Sequence, residues 1–288
     1  MKEKNKGMLV DLAVYAAAFG AGLVPYLLLD DMFAATAAFT AAATVIVFIA
    51  SCVFSDVSVY DPYWSVAPPV MLLLNMIRYR MWNVNSLILF CIVMLWAVRL
   101  TGNWYVTYKG IGNEDWRYAM YRKRYPSLLF HLISFTGLHF VPTIVVYLGL
   151  VSGLFASRET AFAPLSLIGA AVMIAAILLE FVSDRAIHRF LREHKGEHRT
   201  CDISVWKYSR HPNYLGEMSF WTGMYLYFAA CCPGQWYWGL GFLSIILLFL
   251  VVSIPMMEKH NMQRRADYEA YKARTSVLIP LPNRKQTA

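Results

Sequence analysis

The chain has 288 residues, of which 58% are hydrophobic and only 15% charged. Soluble domains run nearer a quarter charged, so an ordinary soluble enzyme is excluded. The net charge of +8 lies in segments beside long apolar blocks, which points to membrane topology and anionic lipid and away from nucleic acid.

In chain order, eight apolar blocks read as membrane spans, at about 8–29, 33–54, 64–80, 86–105, 129–154, 161–184, 214–232 and 236–257. Most approach the roughly 20 helical residues that a bilayer core requires. The first block is too long for a cleaved signal segment and is read as a span. The third is interrupted by Pro68-Pro69 and ends in Arg78 and Arg80, so a re-entrant segment and seven spans is the alternative. The expected fold is therefore an all-α integral membrane protein. It is a single bundle of seven or eight transmembrane helices forming one domain over 1–288, with two spans in 1–55 and a core in 56–282. The cysteines, Cys52, Cys91, Cys201, Cys231 and Cys232, contain no C-x-x-C pair and give neither a disulfide framework nor a metal site.

With eight spans, every lysine and arginine except Arg78, Arg80 and Arg158 falls on one side of the membrane. The positive-inside rule then makes that side, and both termini, cytoplasmic. The outer loops are short, so chemistry is expected on the inner side.

Four polar clusters stand there. The first is Asp56 with Tyr60-Asp61-Pro62-Tyr63-Trp64, acidic residues on a basic face. The second closes the sixth span with Glu180, Ser183, Asp184, Arg185, His188 and Arg189. Glu180, Asp184 and His188 are spaced by four and share one helical face. Their bland reading is a snorkelling helix end. The third runs Tyr208-Ser209-Arg210-His211-Pro212-Asn213-Tyr214-Leu215-Gly216-Glu217. An interfacial helix start explains the proline and the tyrosines, but not the crowd of hydrogen-bonding groups at a depth where charge is costly. The fourth, from Glu258-Lys259-His260 through Arg264-Arg265, Tyr268, Tyr271, Arg274 and Thr275, also reads as a basic helix lying on anionic lipid.

Further motifs lie at Arg99-Leu-Thr-Gly-Asn103-Trp and Glu114-Asp115-Trp-Arg117-Tyr. Together with the clusters they make the chain resemble the steroid 5α-reductase superfamily, in particular its bacterial branch known as a domain of unknown function (1295-like). The resemblance runs from about residue 56 to 282. The C-terminal half is also similar to isoprenylcysteine and phospholipid methyltransferases, which have a similar Arg-His-Pro-x-Tyr helix start.

The resemblance implies a cytosol-facing cavity for NADPH and a lipophilic substrate with a conjugated carbonyl, such as a 3-oxo-Δ4-steroid or an isoprenoid. Ser183, Asp184, Arg189, Tyr208, Arg210, His211, Asn213, Glu217, His260 and Arg264 would surround the cofactor. Asp61 would face the carbonyl, with Trp96 at the place of a second, tyrosine donor. Two departures stand out: Asp61 is shorter than the family's glutamate, and an indole cannot relay a proton. The expected function is a membrane-embedded NADPH-dependent reductase of a conjugated C=C bond. The alternatives are an S-adenosylmethionine-dependent methyltransferase and a non-catalytic lipid-binding protein. A bacterial inner membrane with the active site facing the cytoplasm is the expected location.

Overall fold

A computed structural model describes residues 2–283, and these are mainly helical with no strand among them. The basic residues Arg284 and Lys285 lie outside the described residues. The helices are α1 (Lys2–Leu28), α2 (Met32–Phe54), α3 (Tyr63–Arg78), α4 (Val84–Thr107), α5 (Trp116–Arg124) and α6 (Ser127–Arg158). They continue with α7 (Ser166–Glu193), α8 (Pro212–Cys231), α9 (Pro233–Arg264) and α10 (Tyr268–Arg274).

Six of these helices, α1, α2, α4, α6, α7 and α9, are long and apolar enough to cross a membrane, which marks the chain as a membrane protein. The other two expected spans are also helical. At 16 residues α3 is about 24 Å long, short of the roughly 30 Å of a bilayer core. Helix α8 has 20 residues, with Asn213 and Glu217 diluting its apolar character.

The chain divides into two compact units, Met1–Thr160 and Ala161–Ala288. In the first, α1 and α2 form a hairpin whose turn is set by Asp31, which caps α2 by accepting from the Ala34 amide at 2.8 Å. Phe19 stacks on Phe39, and Gly22 lies where any Cβ would press into Phe39. Thr36, Thr40, Thr44 and Ser51 make a buried polar stripe along α2. Thr36, Thr40, Thr44 and Ser51 each donate to the carbonyl four residues back, so no hydroxyl is left to lipid. Across helices, Asn75 of α3 donates to Thr36 at 2.9 Å, and Thr143 of α6 lies 3.0 Å from Thr44. Such side-chain bonds hold helices together where apolar burial gives no net drive. A π-turn at Ser134–Phe140 interrupts α6 and points His139 inward, where its ring bonds Ser51 at 3.0 Å.

In the second unit, α7 and α8 pack through glycines. A Cβ on Gly223 would stand 2.9 Å from the carbonyl oxygen of Gly169, and one on Gly216 3.1 Å from that of Ala176. Close backbone approach of this kind is how small residues pack helices in membranes. A bridge between Ser209 and Ser276, with the Arg210 amide donating to the Ser276 carbonyl at 2.9 Å, ties the C-terminal segment to the start of α8.

Candidate active site

The acidic candidate, Asp61, ends a helical turn (Val57–Tyr60) that Asp56 caps from the αL residue Ser55 onward. Asp56 is buried and accepts from the amides of Ser58 at 2.9 Å and Gly112 at 2.7 Å. The Ser58 hydroxyl accepts from the Asp115 amide at 2.8 Å, and Glu114 accepts from the Val57 amide and from Arg122. These bonds clamp the 112–118 segment onto the 55–61 turn. The clamp carries Tyr118 to Asp61: the phenol donates to Oδ1 at 2.5 Å, while the Arg117 guanidinium stands 3.9 Å away.

The Asp61 side chain is 19% exposed. Burial pushes its carboxyl up from 3.8 to about 6, against the opposing pull of Arg117 and the Tyr118 hydrogen bond. Burial, and then Asp61 itself, holds the Tyr118 phenol well above its ordinary value, so it stays a donor. Trp96 is fully buried in α4, its ring edge-on to Trp64 at 6.0 Å. The phenol brought to Asp61 is Tyr118, not a residue at position 96. One turn past Asp61 begins an apolar groove of about 680 Å³, walled by Val66 and Pro69 of α3, Phe90, Met94 and Val98 of α4, and Met8 of α1.

The residues expected around a cofactor all lie in the second unit, and the structure gathers only some of them. Arg210 is buried and heavily committed. Its Nε donates to Glu258 at 2.8 Å, and Nη1 to the carbonyls of Lys272 and Thr275 at 2.8 and 2.9 Å. His211 lies 3.4 Å from the same carboxylate and stacks on Tyr214. Glu258 also takes Lys272 at 3.0 Å, so one carboxylate balances three basic side chains.

Beside this hub is a cavity of about 150 Å³, lined by Arg210, His211, Asn213, Asn261, Arg265 and Tyr268 among others. The buried Tyr268 hydroxyl meets the Asn261 side chain there. Glu217 is buried and accepts from the Trp221 indole at 2.8 Å. Ser183 and Asp184 are buried at the end of α7, where the Ser183 hydroxyl bonds the Leu179 carbonyl. His260 and Arg264 face each other on α9 at 3.4 Å, Arg264 being exposed.

Of the ten residues expected around a cofactor, only Arg210, His211 and Asn213 line the cavity. Arg189 is exposed and pairs with Glu193 one turn on. Tyr208 has a half-exposed ring and contributes its carbonyl to the C-terminal segment, accepting from the Leu281 amide at 3.2 Å. Sequence reasoning placed Glu258, Arg265 and Tyr268 in a polar cluster and Tyr118 in a motif without assigning them to the site, and it passed over Asn261. The signal for Glu258 was present: it is an acidic residue set where the last apolar block meets its basic flank.

The residues match the family described as "Protein of unknown function (DUF1295)" over positions 47–275, and the chain belongs to that family. It is also similar to an uncharacterized protein of Schizosaccharomyces pombe, 24% identical over 254 residues, which covers 78% of this chain and 73% of the relative. No solved structure matches.

Proposed function

We propose that the protein is a membrane-embedded, NADPH-dependent reductase of a lipophilic conjugated carbonyl, seated in a bacterial inner membrane with its polar site on the cytoplasmic side. In this reading there are eight spans and both termini are cytoplasmic. The observation that carries the proposal is the Asp61–Tyr118 pair, a carboxyl kept protonatable near neutral pH and oriented by a phenol at 2.5 Å.

The residues of the second unit fit part of a dinucleotide. A cavity of about 150 Å³ is below the roughly 300–1,000 Å³ of a drug-sized site, so it takes a single ring. Asn213 and Asn261 offer amide groups to a carboxamide or ribose. Arg265, with the exposed Arg264 on α9, offers guanidinium groups that suit phosphate oxygens. When bound, NADPH supplies a hydride to the β-carbon of the conjugated carbonyl.

Everything else falls to side chains. The apolar groove takes the lipophilic body of the substrate and excludes water from it. Asp61 gives its proton to the carbonyl oxygen as charge builds there, and Tyr118 stabilises the carboxylate that remains. Trp96 packs against Trp64 and moves no proton.

One feature favours methyl transfer as a second reading. Arg210 is bound to its own chain, which suits a cofactor without phosphate groups, such as S-adenosylmethionine. Thermal unfolding of detergent-solubilised protein separates the two. Stabilisation by NADPH supports the reductase. Stabilisation by S-adenosylhomocysteine alone replaces it with a methyltransferase, and a ligand at a hundred times its Kd gives about 2.7 kcal/mol, enough to read.

A further inference from the structure

On the other side of the Arg210–Glu258 pair lies a second, more open pocket of about 550 Å³. Of the residues expected around a cofactor, only Arg210 lines it. Its charged walls are Arg210, Lys259, Lys272 and Glu258, and its apolar walls include Ile254, Met262 and Val277. Three cations face one carboxylate, which is already shared between Arg210 at 2.8 Å and Lys272 at 3.0 Å. The pocket is thus left with a net positive charge. With Nε and Nη1 of Arg210 engaged, Nη2 is the edge of that guanidinium left for a ligand. Lys259 is exposed, and the Lys272 side chain is 41% exposed.

The setting decides what kind of anion belongs there. The pocket sits on the last three turns of α9, a helix able to cross a membrane. Toward the apolar end of that helix Leu247, Leu250, Val251 and Val252 are exposed. On the opposite wall Val277 is exposed too, and Ile279 and Leu281 follow it. A ligand here meets cations at one end and apolar surface along its flank. Basic pockets of this kind beside membrane helices hold the head groups of anionic lipids, each lysine near the surface adding attraction.

We infer that the pocket formed by Arg210, Lys259 and Lys272 binds the phosphate head group of an anionic phospholipid, with its acyl chains lying along the exposed apolar face of α9. The pocket shares only Arg210 with the proposed cofactor cavity, and the inference stands whether or not the reductase reading does.

The test is thermal unfolding of the full chain in mild detergent, titrated separately with short-chain phosphatidylglycerol, short-chain phosphatidylcholine, inorganic phosphate and NADPH. Phosphatidylglycerol is expected to raise the midpoint saturably, while phosphatidylcholine and inorganic phosphate do not. Lys259→Gln breaks no ion pair in the structure and so should fold normally. It is expected to raise the half-saturating phosphatidylglycerol concentration about fivefold. Lys272→Gln should do the same. Equal stabilisation by the two lipids, or an unchanged half-saturation in Lys259→Gln, overturns the proposal. So does full reproduction of the effect by inorganic phosphate, which makes it a free-anion site, or competition by NADPH, which makes it the cofactor's own. A protein that binds no NADPH defeats the reductase reading and leaves this titration intact.

Discussion

The two units treat buried charge in opposite ways. In the second, the Glu258 carboxylate is met by Arg210, His211 and Lys272, and the arginine is further satisfied by two backbone carbonyls. In the first, Asp61 has one phenol at 2.5 Å and a guanidinium only at 3.9 Å, and burial outweighs both in setting its proton affinity. A fully compensated charge holds a shape, because removing one partner strands the others. An under-compensated carboxyl can gain and lose a proton without unravelling its surroundings. In the proposed reading, architecture and ligand holding fall to Glu258 and its cations, and proton chemistry falls to Asp61.

The largest expected effect tests the Asp61 half of that contrast. Asp61→Asn should lower reductase turnover about 10²–10⁴-fold, the range of a lost general acid, while leaving the unfolding midpoint unchanged or raised. A variant that unfolds and keeps its residual activity per folded molecule would reverse the assignment. Glu258→Ala should do the opposite, costing about 3–5 kcal/mol of stability by stranding partly buried cations. That cost is read as a lower unfolding midpoint in detergent.

The next effect is on pH. Because the folded pKa of Asp61 is raised from 3.8 to about 6, the folded state binds its proton more tightly than the unfolded state does. The associated stability is fully present below the unfolded value and is lost as pH rises through about 6. Turnover should fall over that same rise, as the acid form disappears. Asp61→Asn should remove that dependence from the unfolding midpoint. Tyr118→Phe deletes a bond that stabilises the ionised carboxylate, so the falling limb of activity should move to higher pH. A limb that moves lower would show that the phenol serves the neutral form. The smallest effect concerns Arg264, which is exposed on α9. If it meets the 2′-phosphate, Arg264→Ala weakens NADPH by about tenfold, roughly the 1.4 kcal/mol of one charge-assisted contact. NADH binding should be unchanged, and equal losses for both would remove it from that role.

Much of this was legible in the chain. Helix positions followed from apolar blocks of bilayer length, since a membrane helix must satisfy its own backbone wherever it runs. The polar clusters announced themselves because charge beside lipid is costly and is kept for a reason. Asp61, Arg210 and His211 were therefore findable from sequence. Which residues they pair with was not. Tyr118 is 57 positions from Asp61 and Glu258 is 48 from Arg210, and no periodicity links residues on different helices. Trp96 was expected at the place of a donor, yet it packs against Trp64, because a side chain's direction is fixed by the neighbours of its helix and not by its rank in a motif. The sequence alone determined that the protein is a set of membrane helices with polar chemistry at their ends. Only the tertiary structure decided which carboxyl is left short of partners and which is saturated, because that balance depends on donors arriving from distant segments.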